Sequence, residues 1–135
     1  MKVVVCLNHS TFTEKYLDGV RAFILKMKEV EITVIHIFEE TMFYATAGFD
    51  VQIGDEMNRE GKELYELAKK YLGNNINYIE EMGVPVLKID EILEGLDYDM
   101  IIIGGNTHDK ITHKLSGSVA EHLLNTKNKP VILIP

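Results

Sequence analysis

Apolar residues in this chain fall into short unbroken runs separated by longer stretches of helical spacing. Val3-Val4-Val5-Cys6-Leu7 within Lys2–Leu7, EITVIHIF over Glu31–Phe38, Met100–Ile103 and Val131–Ile134 are β-branched or apolar without alternation. A strand buried on both faces reads this way, as in a parallel sheet covered by helices. A fifth strand is assigned to Val84–Ile89, with Pro85 marking its beginning or a sheet edge. Between the runs, Tyr16, Leu17, Val20, Phe23, Ile24 and Met27 keep the spacing of one helix face. Thr11 and Glu14 have capping-box spacing, which predicts a helix start at Thr11. Gly19 marks a close helix-to-sheet contact.

Met57, Gly61, Leu64, Ala68, Leu72, Ile76, Ile79 and Met82 share one helical face, so a helix is expected over Glu56–Met82. Gly73-Asn74-Asn75 should kink or briefly break it. Small residues at Gly61 and Ala68 would let this helix approach the sheet. Only one or two helical turns fit around Ile92, Leu93 and Leu96, and a last helix is expected over Ser118–Leu124. Thr41–Gly54, with Phe43, Tyr44 and Phe49, is an irregular stretch that reads equally as a flap over a ligand or as a packing or dimer element. Strands alternating with helices imply right-handed crossovers, a parallel sheet and helices on both faces.

The chain has 135 residues, enough for one domain burying roughly two-thirds of its extended surface. With no apolar run near the ~20 residues of a membrane span, no membrane association is expected. The lone Cys6 reads as a buried reduced thiol in a cytoplasmic protein. A formal charge of −7 speaks against a nucleic-acid partner, which would want a basic stripe. It leaves room for a phosphate ligand, because a backbone nest and one helix terminus hold an anion locally.

Candidate chemistry gathers at two strand ends. Asn8, His9, Ser10, Thr11 and Thr13 follow strand 1, and Gly104-Gly105 follow Met100–Ile103. In a doubly wound sheet the order reverses beside strand 1, so these ends line one crevice. Gly104 and Gly105 allow close backbone approach, Ser118 offers a hydroxyl and amide at a helix start, and His108, Lys110, His113 and Lys114 offer donors or positive charge. These groups suit phosphate, with Mg²⁺ held mainly by the ligand. Walker A and GxGxxG patterns are lacking. His108, Asp109 and His113 lack the spacing of a dedicated zinc site, and no catalytic set stands out. His36 reads as a core histidine with a hydrogen-bonded ring. A flavodoxin-like flavin binder, using the hydroxyl-rich Ser10–Thr13 loop, is a further reading. A phosphoacceptor receiver domain fits less well, since strand 1 ends in Asn8 without paired acids.

The first strand with its polar turn, the HIF end of strand 2, the Gly104–Ser118 spacing and the KPVILIP tail together resemble the universal stress protein family, along almost the whole of residues 1–135. The resemblance implies a single three-layer α/β/α domain with a five-stranded parallel sheet of order 3-2-1-4-5. Members that bind ATP carry Gly-x-x-Gly-x9-Gly-Ser/Thr. Here the spacing is intact over Gly104-Gly105-Asn106-Thr107, nine residues, and Gly117-Ser118, with Thr107 where the second glycine is expected. Asn8 matches the family's acidic residue after strand 1, Ile37 its backbone contact at the end of strand 2, and the segment after strand 3 is shorter than the family's helix. The resemblance therefore implies a non-catalytic ATP-binding stress-response protein, with Asn8, Ser10, Ile37, Gly104, Thr107, His108, Gly117, Ser118 and Val119 around the nucleotide. It also implies a homodimer through Val131–Ile134. The alternative is a nucleotide-free homodimeric regulator of the same fold, since members lacking the full signature often hold no ATP.

Overall fold

Val3, Val4, Val5 and Leu7 are each at most 1% exposed, so the first strand gives neither face to water. The computed structural model describes residues 1–39, 51–105 and 119–135, with the side chains of 51–56 left aside. Its elements are β1 (Lys2–Leu7), α1 (Thr13–Ile24), β2 (Glu31–Glu39), α2 (Val51–Leu72), β3 (Asn77–Gly83), α3 (Pro85–Glu94), β4 (Met100–Gly104), α4 (119–126) and β5 (Val131–Ile134). The sheet runs β3-β2-β1-β4-β5 with every pairing parallel, which is the expected fold class and order.

Alternation along β1 divides the core. Val3, Val5 and Leu7 join Leu17 and Val20 of α1 and Leu64 and Ala68 of α2 on one face. Val4 joins Ile89, Ile92 and Leu93 of α3 and Ala120 and Leu123 of α4 on the other. Right-handed crossovers explain the division. The chain steps outward from β1 to β2 to β3, then crosses back to β4 and β5 in the opposite direction, so its helices change face.

Residues 73–96 depart from expectation. The helix ends at Leu72 and does not run to Met82, because Gly73 takes a φ of +97° and its N–H closes on the Lys69 carbonyl at 2.9 Å. The third strand is Asn77–Gly83, not Val84–Ile89. As an edge strand it leaves Glu80, Glu81 and Met82 partly or largely exposed, so it lacks the apolar run of a central strand, and Ile76, Ile79 and Met82 imitate helical spacing. Val84–Ile89 opens a helix in which Pro85 stands at the first position, where a missing N–H costs nothing. The helix after β3 has 10 residues and is longer than the one or two turns expected. Residues 51–54, assigned to an irregular stretch, begin α2, while the rest of that stretch, with Phe43, Tyr44 and Phe49, lies outside the described residues.

The start of α1 also differs. The cap is Phe12, without a side-chain hydrogen bond, and Thr11 forms no capping box. Thr13 closes the loop instead: its Oγ1 accepts from the Ser10 N–H (2.9 Å) and donates to the Asn8 carbonyl (2.8 Å), while Ser10 Oγ accepts from the Phe12 N–H (3.1 Å). The close approach expected at Gly19 is present, since a Cβ there would lie 2.6 Å from Cγ2 of Ile134, seating α1 on β5.

One polar cluster is built into the α2 face. His36 on β2, 4% exposed, faces Glu80 of the adjacent β3, with Nδ1 3.3 Å from Oε2. Tyr78 donates its hydroxyl to the same Glu80 oxygen (3.1 Å), and the carboxylate occupies the notch left by Gly61 on α2. His9, two residues past β1, pairs with Glu60 of α2 at 2.9 Å. Burial pushes the His36 pKa below its ordinary 6.5, against the opposing pull of Glu80. The expected reading of His36 as a core histidine with a hydrogen-bonded ring holds.

Two outcomes are expected. Gly19→Ala should destabilise by about 1–3 kcal/mol through overpacking. On an Ile134→Ala background the same change should become neutral or stabilising, because alanine gains roughly 1 kcal/mol of helix propensity. Denaturant unfolding of the four proteins checks the reversal. For His36, an unfolded imidazole takes up a proton near 6.5 while the buried one resists, so its contribution is present above pH 6.5 and lost as pH falls through that value. The stability difference between wild type and His36→Gln should therefore shrink from pH 7.5 to 5.5 in urea titrations; a constant or growing difference counts against this.

Candidate functional site

Strand order places the reversal between β1 and β4, where α1 leaves on one face and the β4 connection on the other. Open α/β sheets bind ligands outside the carboxyl ends at such a point. Asn8 directly follows β1, and Leu7 before it pairs with His36, so Ile37 stands one step beyond that pair, level with Asn8. Gly104 ends β4 and pairs with Ile134 of β5. These positions, from three neighbouring strands, share one edge of the sheet.

The frame beneath Gly104 is fixed from both sides. Tyr16 of α1 donates its hydroxyl to the Ile102 carbonyl (3.2 Å), and the Gly105 N–H donates to the Ile134 carbonyl (2.9 Å). A Cβ at Gly104 would lie 3.5 Å from the Tyr16 ring, an ordinary contact, so internal packing does not demand glycine there. Ser10 and Thr13 prove to be partly committed: Thr13 both accepts and donates within the loop, and Ser10 spends its acceptor on Phe12. Ile37, Cys6 and Val119 pack along the α3/α4 core, so they stand on the same side of the sheet. Burial pushes the Cys6 thiol up to about 12, which leaves almost no thiolate at neutral pH and suits an inert wall residue.

Thr107, His108, Gly117 and Ser118 lie outside the described residues, as do Asp109, Lys110, His113 and Lys114. Among the described residues no cluster of His, Cys, Asp and Glu is arranged to hold a metal, and no helix is long and apolar enough to cross a membrane.

Sequence reading missed the interactions that steady this edge. Tyr16 was assigned only to a core-facing stripe, and Asp90 was not singled out. Asp90 on α3 lies 2.6 Å from His122 Nε2 and 2.7 Å from Lys127 Nζ, joining α3 to α4. Burial alone would raise the Asp90 pKa, but Lys127 and His122 hold it below its ordinary value. The partners are 32 or more positions apart, so no local spacing announces them.

Comparison with known proteins agrees with this architecture. The model of the universal stress protein family matches residues 1–135. Universal stress protein MJ0577 of Methanocaldococcus jannaschii is 26% identical over 152 residues, spanning 98% of this chain and 93% of that protein. The solved structure of MJ0577, described as a structure-based assignment of its biochemical function, superimposes with a TM-score of 0.75 at 28% identity, over 98% of this chain and 94% of that one. A universal stress protein in complex with cAMP shares the fold at a TM-score of 0.67 and 16% identity, over 99% of this chain and 95% of that one. The sheet order is also distinct from the flavodoxin-like 2-1-3-4-5, which removes the flavin-binder reading. With its sheet order, its crevice and a family model matching from first residue to last, the chain belongs to the universal stress protein family.

Proposed function

We propose that this protein is a cytoplasmic, non-catalytic stress-response regulator that binds an adenine nucleotide, ATP with Mg²⁺, at the carboxyl ends of β1 and β4. The observation that carries the reading is positional. The Gly104-Gly105-Asn106-Thr107, nine-residue, Gly117-Ser118 spacing begins where β4 ends beside β1 and finishes immediately before α4. In this reading Gly104 admits the phosphates to the backbone, Ser118 gives them a hydroxyl and amide, and Asn8 and Ile37 meet the ribose and base. Thr107, His108, Gly117 and Val119 complete the surround. The cAMP complex of a fold relative is consistent with an adenine nucleotide on this scaffold.

Thr107 favours a second reading, a nucleotide-free regulator of the same fold. It adds a Cβ where ATP-binding members place glycine, and a positive φ there would penalise it. Calorimetry with ATP and Mg²⁺ separates the two. Under the first reading Ser118→Ala weakens binding by about 1–3 kcal/mol, the worth of a hydrogen bond to a charged group. Thr107→Gly tightens it. No heat at millimolar nucleotide from wild type or Thr107→Gly supports the nucleotide-free protein instead.

Both readings include a homodimer through β5. This edge strand has four apolar residues and no charge or proline within it, and Leu133 and nearby Leu124 of α4 are 44% and 51% exposed. An uncovered edge of that kind invites strand pairing. Light scattering should give the mass of two chains for wild type, and Leu133→Lys should shift it to one. A wild-type monomer at micromolar concentration would contradict the assignment.

A further inference from the structure

Asp90 holds α4 at two points, one within the helix and one just past its end. Oδ2 meets His122 Nε2 at 2.6 Å, and Oδ1 meets Lys127 Nζ at 2.7 Å. The Lys127 N–H donates to the Leu123 carbonyl (3.1 Å), so this lysine is tied to the last turn of α4 by its backbone as well. The three side chains are largely buried, with 31%, 25% and 18% exposure for Asp90, His122 and Lys127. Screening by solvent is correspondingly weaker than for a surface pair.

The inward face of α4 is otherwise apolar, through Ala120 and Leu123. Apolar burial resists separation of the helix from the sheet but is non-directional, so it sets neither the roll nor the axial position of α4. A single ion pair would leave the helix free to pivot. Two contacts from one carboxylate, five residues apart on α4, remove both freedoms. The carboxylate itself stands on α3, which is anchored in the core by Ile89, Ile92 and Leu93.

Gly117-Ser118 immediately precede the described part of α4 in sequence, so a shift of that helix moves them. We propose that Asp90 is a positioning residue for the phosphate end of the nucleotide site, fixing α4 against α3 through His122 and Lys127. This rests on the nucleotide-binding reading. It assigns Asp90 no contact with the ligand, and it predicts that phosphates and adenosine respond differently when the carboxylate is lost, because Asn8 and Ile37 stand on strands that Asp90 does not touch.

The test compares ATP with adenosine, each with Mg²⁺, by calorimetry on wild type, Asp90→Asn and His122→Gln. Asp90→Asn should weaken ATP about 3- to 10-fold, the usual range for a coupled position without ligand contact, and leave adenosine within about twofold. His122→Gln should change the ATP-to-adenosine ratio in the same direction. Amide hydrogen exchange over 119–126 should accelerate in both ligand-free variants, while β1 and β2 stay protected. A purely structural defect would weaken both ligands together and loosen the sheet. Wild type that binds ATP with the same ratio in all three proteins overturns the proposal alone, as does unchanged exchange over 119–126. Wild type that binds neither ligand overturns the nucleotide reading and this role with it, whatever the exchange shows.

Discussion

β1 has water on neither face and a hydrogen-bonded neighbour on each side, and the rest of the fold follows from that enclosure. Because both faces must be covered, helices are required above and below. Because the strands are parallel, each connection must cross over the sheet, and its handedness decides which face each helix covers. The step outward to β2 and β3 and the return to β4 and β5 then leave a gap in cover only at the carboxyl ends beside β1. The crevice results from filling the centre of the sheet first.

Such enclosure is also what made the fold legible. Lys2–Leu7, Met100–Ile103 and Val131–Ile134 were recognisable because most of their side chains face protein, and an apolar β-branched run is the direct mark of that. β3 was illegible for the opposite reason. At the edge it needs few apolar residues, and its Glu80 points back to His36 and the Gly61 notch, so its polarity reads as helix surface. The displaced strand sat only a few residues from the true one, within the same alternation of strand and helix. Topology therefore survived an error in boundaries, because crossover handedness depends on element order and not on where each element begins.

The candidate site was legible where function rests on backbone position and illegible where it rests on side-chain partners. Glycine spacing and strand ends locate Asn8, Ile37 and Gly104 at one edge without any knowledge of contacts. Hydroxyls were less informative. Ser10 and Thr13 resemble ligand donors in sequence, yet Thr13 fastens the Asn8–Thr13 loop to itself. Tyr16 beneath β4 and Asp90 between α3 and α4 act across 86 and 32 positions, distances over which one sequence carries no pairing signal.

Charge is the remaining constraint on an anionic ligand, since the chain carries a formal −7. Surface carboxylates more than a Debye length away, roughly 8 Å at physiological ionic strength, are largely screened and contribute little at the crevice. The cluster of Glu60 and Glu80 belongs to the α2 face, whereas Ile37 and Val119 face the α3/α4 side, so the sheet itself stands between that acidity and the proposed ligand. Anion affinity is then set within a few ångströms of the β4 end, by oriented amides and a helix terminus whose dipoles need no net positive charge. Such dipoles act only from fixed positions. An acidic protein that holds phosphate through its backbone depends on the placement of α4 more than a basic protein would, and that is the place where Asp90 holds two cationic or polar partners on a single carboxylate.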